Sequence, residues 1–450
     1  MKIHPKGPLL AQLGAGLPAD WRRCLAHVAR CPACRERLAA ILDEPERPRP
    51  VLRWAERPRR ARPPGVDRLF DGFTHELVEL RSVFARAEAE AAGLVTELLA
   101  QPAARRALLL DRQPRFWTWP VAELLVETVR ETSFSDPAAA ERLAGLVLGL
   151  AGHLPEPPYR GRRGDLLART WASLGNARRL AFDLAGAGRA FAAAHACLLK
   201  GSRDALERAH LADLEASLAV DQRRFADALR LLTRAAAVFC QYGELHRAGR
   251  SRVKMATVHS KAGEPERAIP LLQEALTLID AGSEPRLDLS VRHNLMTALA
   301  DSGRALEARR LFAESRPLYR RFPEPLTESR RLWLSGKIAR GLGQTAEAEA
   351  AFLAARDGFL TSGIPYNTVL VTLELAALYA EEGRTAELQR LAAETAPIFL
   401  SRQIHREALV ALGFFRQAVE REAATREVIA RVADYLRRAE DDPDLAFESP

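Results

Sequence analysis

From about residue 161 to residue 400, apolar positions recur at spacings of three and four, interrupted by glycines that return in a fixed register. Segments beginning at Gly263, Gly303, Gly343 and Gly383 read GEPERAIPLLQEAL, GRALEARRLFAES, GQTAEAEAAFLAA and GRTAELQRLAAET, forty residues apart. Each opens on a turn glycine and sets a small residue five positions on: Ala268, Ala308 and Ala348, with Leu388 in the last. Spacings of three and four belong to helices, and a self-similar period of this length means stacked helical hairpins. The small position of each first helix is held by Ala216, Ala256, Gly336 and Ala376, from which Met296 departs.

The segment TWASLGNARRLAFDLAGAGRAFAAAHA places Trp171, Leu174, Gly175, Ala187, Phe191 and Ala194 at spacings that resemble a tetratricopeptide repeat. Small residues let the two helices of a hairpin approach, and large ones fill the notch between neighbours. The resemblance implies an all-α, tetratricopeptide-like helical-hairpin solenoid of about six hairpins, with helices long enough to stretch the repeat to forty residues.

Other stretches divide the chain around this array. Residues 67–160 read as a helical region that packs on its front end, punctuated by Pro114, Pro120 and Pro137, with Trp117 and Trp119 buried at a helix junction. Residues 401–440 read as C-terminal capping helices, and 441–450 as an acidic, frayed tail. Residues 45–66 hold six prolines and form an extended linker, behind a compact unit at 1–44 too small for a good core without a staple.

Composition narrows the class further. Alanine, leucine, arginine and glutamate dominate while aromatics make up 6%, a mixture that favours helix. The longest apolar stretch, Leu143 to Leu154, is broken by Gly145, Gly149, Gly152 and His153 and is too short to span a bilayer. No membrane partner and no signal peptide are expected, so the expected location is cytoplasmic. The net charge of +8 is concentrated: between Pro45 and Gly65 seven arginines face two glutamates. Of five cysteines, Cys197 and Cys240 sit on alanine-rich helical faces, where small buried residues are expected.

Three of the cysteines crowd near the start. In HVARCPAC, His27, Cys31 and Cys34 follow the spacing His-x3-Cys-x2-Cys, and imidazole and thiolate are the ligands that zinc prefers. With Cys31 as N-cap and Pro32 at the first helical position, a helix opens there and folds three ligands about one point. For a fourth ligand, Cys24 on a regular helix lies about 10 Å along the axis from Cys31. His4, arriving from a separate segment, is the better placed of the two. The run also resembles the zinc-binding anti-sigma-factor domain, through His4-Pro5, His27, Cys31, Cys34 and Arg35. That resemblance implies structural zinc on His4, His27, Cys31 and Cys34, and a sigma factor or other transcription component as partner.

Function classes can then be weighed. No phosphate loop, nucleophile elbow, paired His-Glu metalloprotease motif or kinase signature is present, and GAGRAF at Gly186 follows no strand and reads as a repeat turn, so no enzyme is expected. A binding scaffold for a protein or peptide, regulatory in role, is the leading expectation. Mapping tetratricopeptide groove positions onto the first helices puts Asn176, Arg179, Arg250, Lys261, Arg330, Trp333, Lys337 and Arg340 on the concave side. Asp213, Asp221, Asp301 and Glu381 share it, and the basic balance suits acidic or carboxylate-ended peptides. The alternative is a nucleic-acid-associated regulator using the arginines of residues 45–65 with Trp54.

Overall fold

A computed structural model describes residues 88–155, 161–400, 406–439 and 445–447. The linker and the zinc module, with His4, Cys24, His27, Cys31 and Cys34, lie outside the described residues. Among the latter the chain is all-helical: helical residues 88–99 (α1), Ala103–Arg112 (α2), Trp119–Thr132 (α3), Pro137–Leu150 (α4), Arg162–Leu180 (α5), Leu184–Lys200 (α6), Ala205–Asp221 (α7) and Phe225–Gln241 (α8) come first. Then follow Leu245–Lys261 (α9), Pro265–Leu278 (α10), Pro285–Asp301 (α11), Ala305–Arg320 (α12), Pro325–Gly341 (α13), Thr345–Thr361 (α14), Pro365–Glu381 (α15), Thr385–Leu400 (α16), Arg406–Glu420 (α17) and Arg426–Ala439 (α18). The fold class expected from the periodicity, a repeated array of helical hairpins, is the one observed.

The register of the array is written in its turns. Residues with left-handed backbone stand at Arg203, Arg223, Gly243, Gly263, Gly303, Gly343, Gly363 and Gly383, all on multiples of a twenty-residue step. Helices of 17 residues, such as α9, α11, α13, α14 and α15, joined by three-residue turns produce that step, and two steps make the forty-residue hairpin. Several turns close alike. The amide of Glu264 donates to the His259 carbonyl at 2.8 Å, Arg304 to Leu299 at 2.8 Å, Gln344 to Ala339 at 2.9 Å and Arg384 to Tyr379 at 2.9 Å. These bonds satisfy carbonyls that the helix ends leave open, and they need the preceding residue in the left-handed region that glycine enters without steric cost. Prolines at the first or second position open α10, α11, α13 and α15, where a missing amide hydrogen costs nothing.

The chain divides into two compact units, Met1–Leu218 with Ala237–Gly243, and Ala219–Ala236 with Glu244–Pro450. That division falls inside the stretch 161–400 read from sequence as one array. In the first unit, one core runs from Ala91 through Val121, Leu125, Leu143 and Val147 to Leu166, Leu174 and Ala190, so the leading helices pack on the first hairpin. Trp119 is buried in this core and Trp117 is half-buried, its indole Nε1 donating to the Leu110 carbonyl at 2.6 Å. Cys240 is exposed, against the sequence expectation, because its neighbour Phe239, in line with Ala228, Leu232 and Ala235, carries the buried face of α8. Gly186 is also no turn residue: it lies in the first helical turn of α6, where its amide donates to Asp183 Oδ1 at 2.7 Å.

In the second unit, consecutive helices from α9 to α18 pack pairwise, and α18 returns onto α15. Gly336 and Phe352 illustrate how a hairpin closes. A Cβ built on Gly336 would lie 2.5 Å from both Cδ1 and Cε1 of the fully buried Phe352 ring. In the first unit the pair Gly175 and Phe191 repeats the arrangement, with 2.8 Å to Cε1. Where the small residue is Ala256, the residue sixteen on is Leu272, in the same core cluster. The tail departs from the frayed end expected of it, since Leu445 and Phe447 pack against the terminal core. No helix among the described residues is long and apolar enough to cross a membrane.

Candidate functional site

The charged residues read from sequence converge best on α13. Arg330, Trp333, Lys337 and Arg340 follow one another at spacings of three, four and three, which lines them along one face of the helix. Leu334, Gly336, Ile338 and Ala339 on other faces are buried and hold the helix in place. Because α11 and α13 are in contact, and because α13 and α15 are the first helices of adjoining hairpins, their polar faces meet.

Lys337 and Arg340 are already matched. Lys337 Nζ lies 2.6 Å from Asp301 Oδ1 on α11 and 3.8 Å from Glu374 Oε1 on α15. Arg340 reaches Glu374 Oε2 at 3.0 Å and Glu381 Oε1 at 2.7 Å, and Arg426 of α18 stands 3.5 Å from the same Glu381 oxygen. This clasp joins four helices. Its central members are well shielded, with side-chain exposures of 14% for Lys337 and 15% for Glu374, so salt screens them less than it screens surface pairs.

Arg330, one end of the stripe, is exposed and has no carboxylate within ion-pair distance among the described residues. Between it and the clasp stands Trp333, half-buried, its ring edge-to-face with Phe359 at 5.8 Å and Lys337 Nζ at 5.8 Å from its centroid. The Trp333 Nε1 atom is shielded from solvent and has no hydrogen-bond partner among the described residues. Alongside, His293 Nδ1 and the Tyr319 hydroxyl are 2.7 Å apart. Burial, followed by the positive charges of Arg330 and Lys337, pushes the His293 imidazole down to about 4, so it is neutral at pH 7. Burial likewise raises the Tyr319 phenol above its ordinary range. The ensemble is therefore an exposed cation, an aromatic ring and a neutral imidazole–phenol pair beside an internally balanced ion cluster.

Other expected groove residues lie elsewhere. Asn176 is buried on α5 in the first unit and its Oδ1 accepts from Arg179 Nε at 3.1 Å. Arg250 on α9 pairs with Glu284 at 2.8 Å, and Lys261 ends the same helix half-buried. Asp301 and Glu381, read from sequence as lining the groove, are members of the clasp, whereas Glu374 and the neighbouring His293 and Tyr319 had no place in that reading. A signal for Glu374 existed: it follows Arg340 by 34 residues, as Glu284 follows Arg250.

A second ionic cluster sits in the first unit. Arg169 Nη2 contacts Glu123 Oε2 at 2.6 Å and Arg169 Nε lies 3.5 Å from Glu207 Oε1, tying α3, α5 and α7. Burial, against the opposing pull of Arg169, pushes the Glu207 carboxyl up to about 7, and burial also raises Asp165, which accepts from the Ser202 amide at 2.8 Å. Gly161 and Gly164 permit this close seam: a Cβ on either would come within 2.5 to 2.7 Å of the backbone at 201–202.

Known proteins share this architecture. Residues 170–313 match the family model described as soluble NSF attachment protein, SNAP. A Rap protein, solved in complex with competence and sporulation factor, is similar with a TM-score of 0.52 at 13% identity, over 72% of this chain and 88% of that one. The fold is tetratricopeptide-like. The apo form of RapI gives a TM-score of 0.54 at 11% identity, over 71% of this chain and 87% of that one. No curated protein matches the sequence.

Proposed function

We propose that this chain is a non-enzymatic regulatory scaffold that holds a protein or peptide partner on the α13 face of its tetratricopeptide-like array. One observation carries the reading: Arg330 is exposed and without an ion pair among the described residues, while Lys337 and Arg340 on the same face are already matched by carboxylates. An uncommitted guanidinium next to an indole suits a partner carboxylate followed by an apolar side chain. The Rap protein of like fold, complexed with competence and sporulation factor, supports a binding role for the array. An array of peptides varied at the C-terminal residue and at one acidic position, probed with the wild-type chain and with Arg330→Ala, tests it. Carboxylate-dependent capture that falls at least tenfold in the variant is the expected result. Capture indifferent to both Arg330 and the carboxylate would refute the assignment.

The N-terminal module belongs to the same proposal. His4, His27, Cys31 and Cys34 hold a structural zinc, and the module adds a contact to a sigma factor or another transcription component. Its support is the His-x3-Cys-x2-Cys spacing. Metal content of freshly purified, reduced protein should show one equivalent of zinc that is lost in His27→Ala and Cys31→Ser. A metal-free wild-type chain would remove the module from the model.

A further inference from the structure

Arg309, Arg310, Arg316, Arg320 and Arg321 stand exposed along α12 and its C-cap. None of these side chains has an ion pair or a hydrogen bond among the described residues, whereas Arg304, Arg331, Arg356 and Arg384 of the same unit each meet a carboxylate. Ala305, Ala308, Ser315 and Tyr319 bury the opposite side of α12, which fixes the direction in which the arginines point. At about 100° per residue, Arg309, Arg316 and Arg320, spaced by seven and four, form one row. Arg310 and Arg321, eleven apart, form a second row roughly 110° round the helix. Between the rows runs a strip of exposed Leu306, Ala313 and Pro317, spaced again by seven and four, with Leu306 60% exposed. Spacings of seven and four are those at which one helix offers a seam to another, and charges beside such a seam pair across it.

We propose that this face of α12 docks an acidic amphipathic helix of a partner protein, with the partner's apolar seam on Leu306, Ala313 and Pro317 and its carboxylates reaching both arginine rows. Guanidinium groups bind carboxylates through two parallel hydrogen bonds, and here no existing pair has to break first. The width of the basic face selects the occupant. In the hairpins on either side, the second helices expose acids: Glu266 and Glu274 on α10, Glu347 and Asp357 on α14. Arg267, the exposed cation of α10, is held by Glu264 at 3.2 Å. A nucleic-acid duplex or a bilayer would overlie those carboxylates too, whereas a single helix about 10 Å across covers α12 alone. Register is encoded as well. Exposed Glu314 lies four residues after Arg310 and seven before Arg321, so the second row reads plus, minus, plus and asks for a cation between two carboxylates on the partner. This surface shares no residue with the Arg330 face and stands independently of it.

A fluorescently labelled, lactam-stapled helical peptide of three heptads, with a leucine seam and glutamates on both sides of it, tests this by anisotropy on the full-length chain. A scrambled peptide of the same composition is the control. The stapled helix should bind at least tenfold more tightly than the scramble; the combined Arg309→Ala, Arg316→Ala and Arg320→Ala chain should lose that advantage, and Arg330→Ala should keep it. Ala313→Glu, which sets a carboxylate in the strip, should weaken binding at least tenfold. Against Arg316→Glu, one member of a peptide series in which each glutamate in turn becomes lysine should regain at least fivefold. Equal binding of helix and scramble would overturn the proposal, as would a lysine series without rescue. So would a triple variant that loses a short DNA duplex or phosphatidylserine vesicles more than it loses the helix. If the triple variant does not melt like the wild-type chain, Ala313→Glu decides, and unchanged affinity there overturns the proposal.

Discussion

Replacing Gly336 by alanine should destabilise the second unit even though the residue lies within a helix. Two effects of opposite sign compete. Glycine inside a helix is less favourable than alanine by about 0.8–1 kcal/mol, which alone would make the change stabilising. Against it, the new methyl would sit 2.5 Å from two carbons of the Phe352 ring, which is fully buried and has no solvent side toward which to swing. Overpacking of this kind costs about 1–3 kcal/mol, so the net expectation is a loss of about 1 kcal/mol. Phe352→Leu alone should cost about 1–2 kcal/mol through the space that it leaves. Combined, the two recreate the Ala256 and Leu272 pairing found elsewhere in the array, and the double variant should be more stable than the sum of the singles by about 1–3 kcal/mol. Gly413 on α17 is the matched control: a Cβ there meets nothing within 4 Å, so Gly413→Ala should gain about 0.5–1 kcal/mol. Urea denaturation followed by helical circular dichroism reads all four variants. A Gly336→Ala chain as stable as wild type, or a double variant that is merely additive, would refute the notch-filling account of the hairpin.

Three further outcomes follow from the same structure. His293 is held down to about 4 against an ordinary 6.5, so the unfolded chain binds its proton first; stability of the second unit is full above 6.5 and falls as pH drops toward 4. The loss is on the order of 3 kcal/mol, and His293→Gln should flatten that part of the pH profile. Glu207 behaves oppositely, since a carboxyl raised from 4.5 to about 7 makes the folded chain take up the proton first: the first unit gains stability as pH falls from about 7 to 4.5, and Glu207→Gln should hold most of that gain at every pH. Hydrogen exchange resolved by segment, recorded between pH 4.5 and 7.5, would separate the two slopes; a second unit that does not lose stability as pH falls would contradict the His293 assignment, and a first unit that does not gain it would contradict that of Glu207. Finally, Phe182 stands at φ 62° with 86% of its surface exposed, so it bears left-handed backbone strain with little packing in return. Phe182→Gly should stabilise the first unit by about 0.5–1 kcal/mol in thermal melts, the strain relieved less the entropy that glycine loses.

The array was legible in the sequence because its turns and its packing are local. Gly263, Gly303, Gly343 and Gly383 announce the left-handed turn by identity alone, and Gly336 and Ala256 announce close helix approach by size. The full twenty-residue step was harder to see because Arg203 and Arg223 take the same backbone conformation without being glycine. The site was legible only in part. A helical face can be read from spacing, which located Arg330, Trp333, Lys337 and Arg340 together, but whether a cation is free depends on what the adjoining hairpin offers. That partnership is set by the stagger between neighbouring helices: Lys337 finds Asp301 36 residues back, while Arg340 finds Glu374 34 residues on and Glu381 41 on. No single offset predicts these pairs. The tail misled for a related reason, since its acidic residues advertise solvent while Leu445 and Phe447, only two of ten, decide where it lies.

The same stagger determines which substitutions can report on binding. Cross-hairpin pairs recur through the second unit: Arg250 with Glu284, Lys337 with Asp301, Arg356 with Glu394 and Arg384 with Glu349. Singly, exposed pairs of this kind contribute little to stability, about 0–1 kcal/mol. The clasp differs, because removing Lys337 takes away the only cation paired with Asp301 among the described residues and leaves the shielded Glu374 to Arg340 alone, which loosens the tie between α11, α13 and α15. A partner carboxylate that approached Lys337 would also have to displace Asp301 at 2.6 Å before gaining anything. At Arg330 no existing ion pair among the described residues has to break, so the whole of a charge-assisted contact is available to the partner. Binding lost on Lys337→Ala would therefore mix a damaged scaffold with a missing contact, whereas binding lost on Arg330→Ala, with the melting midpoint unchanged, isolates the contact itself.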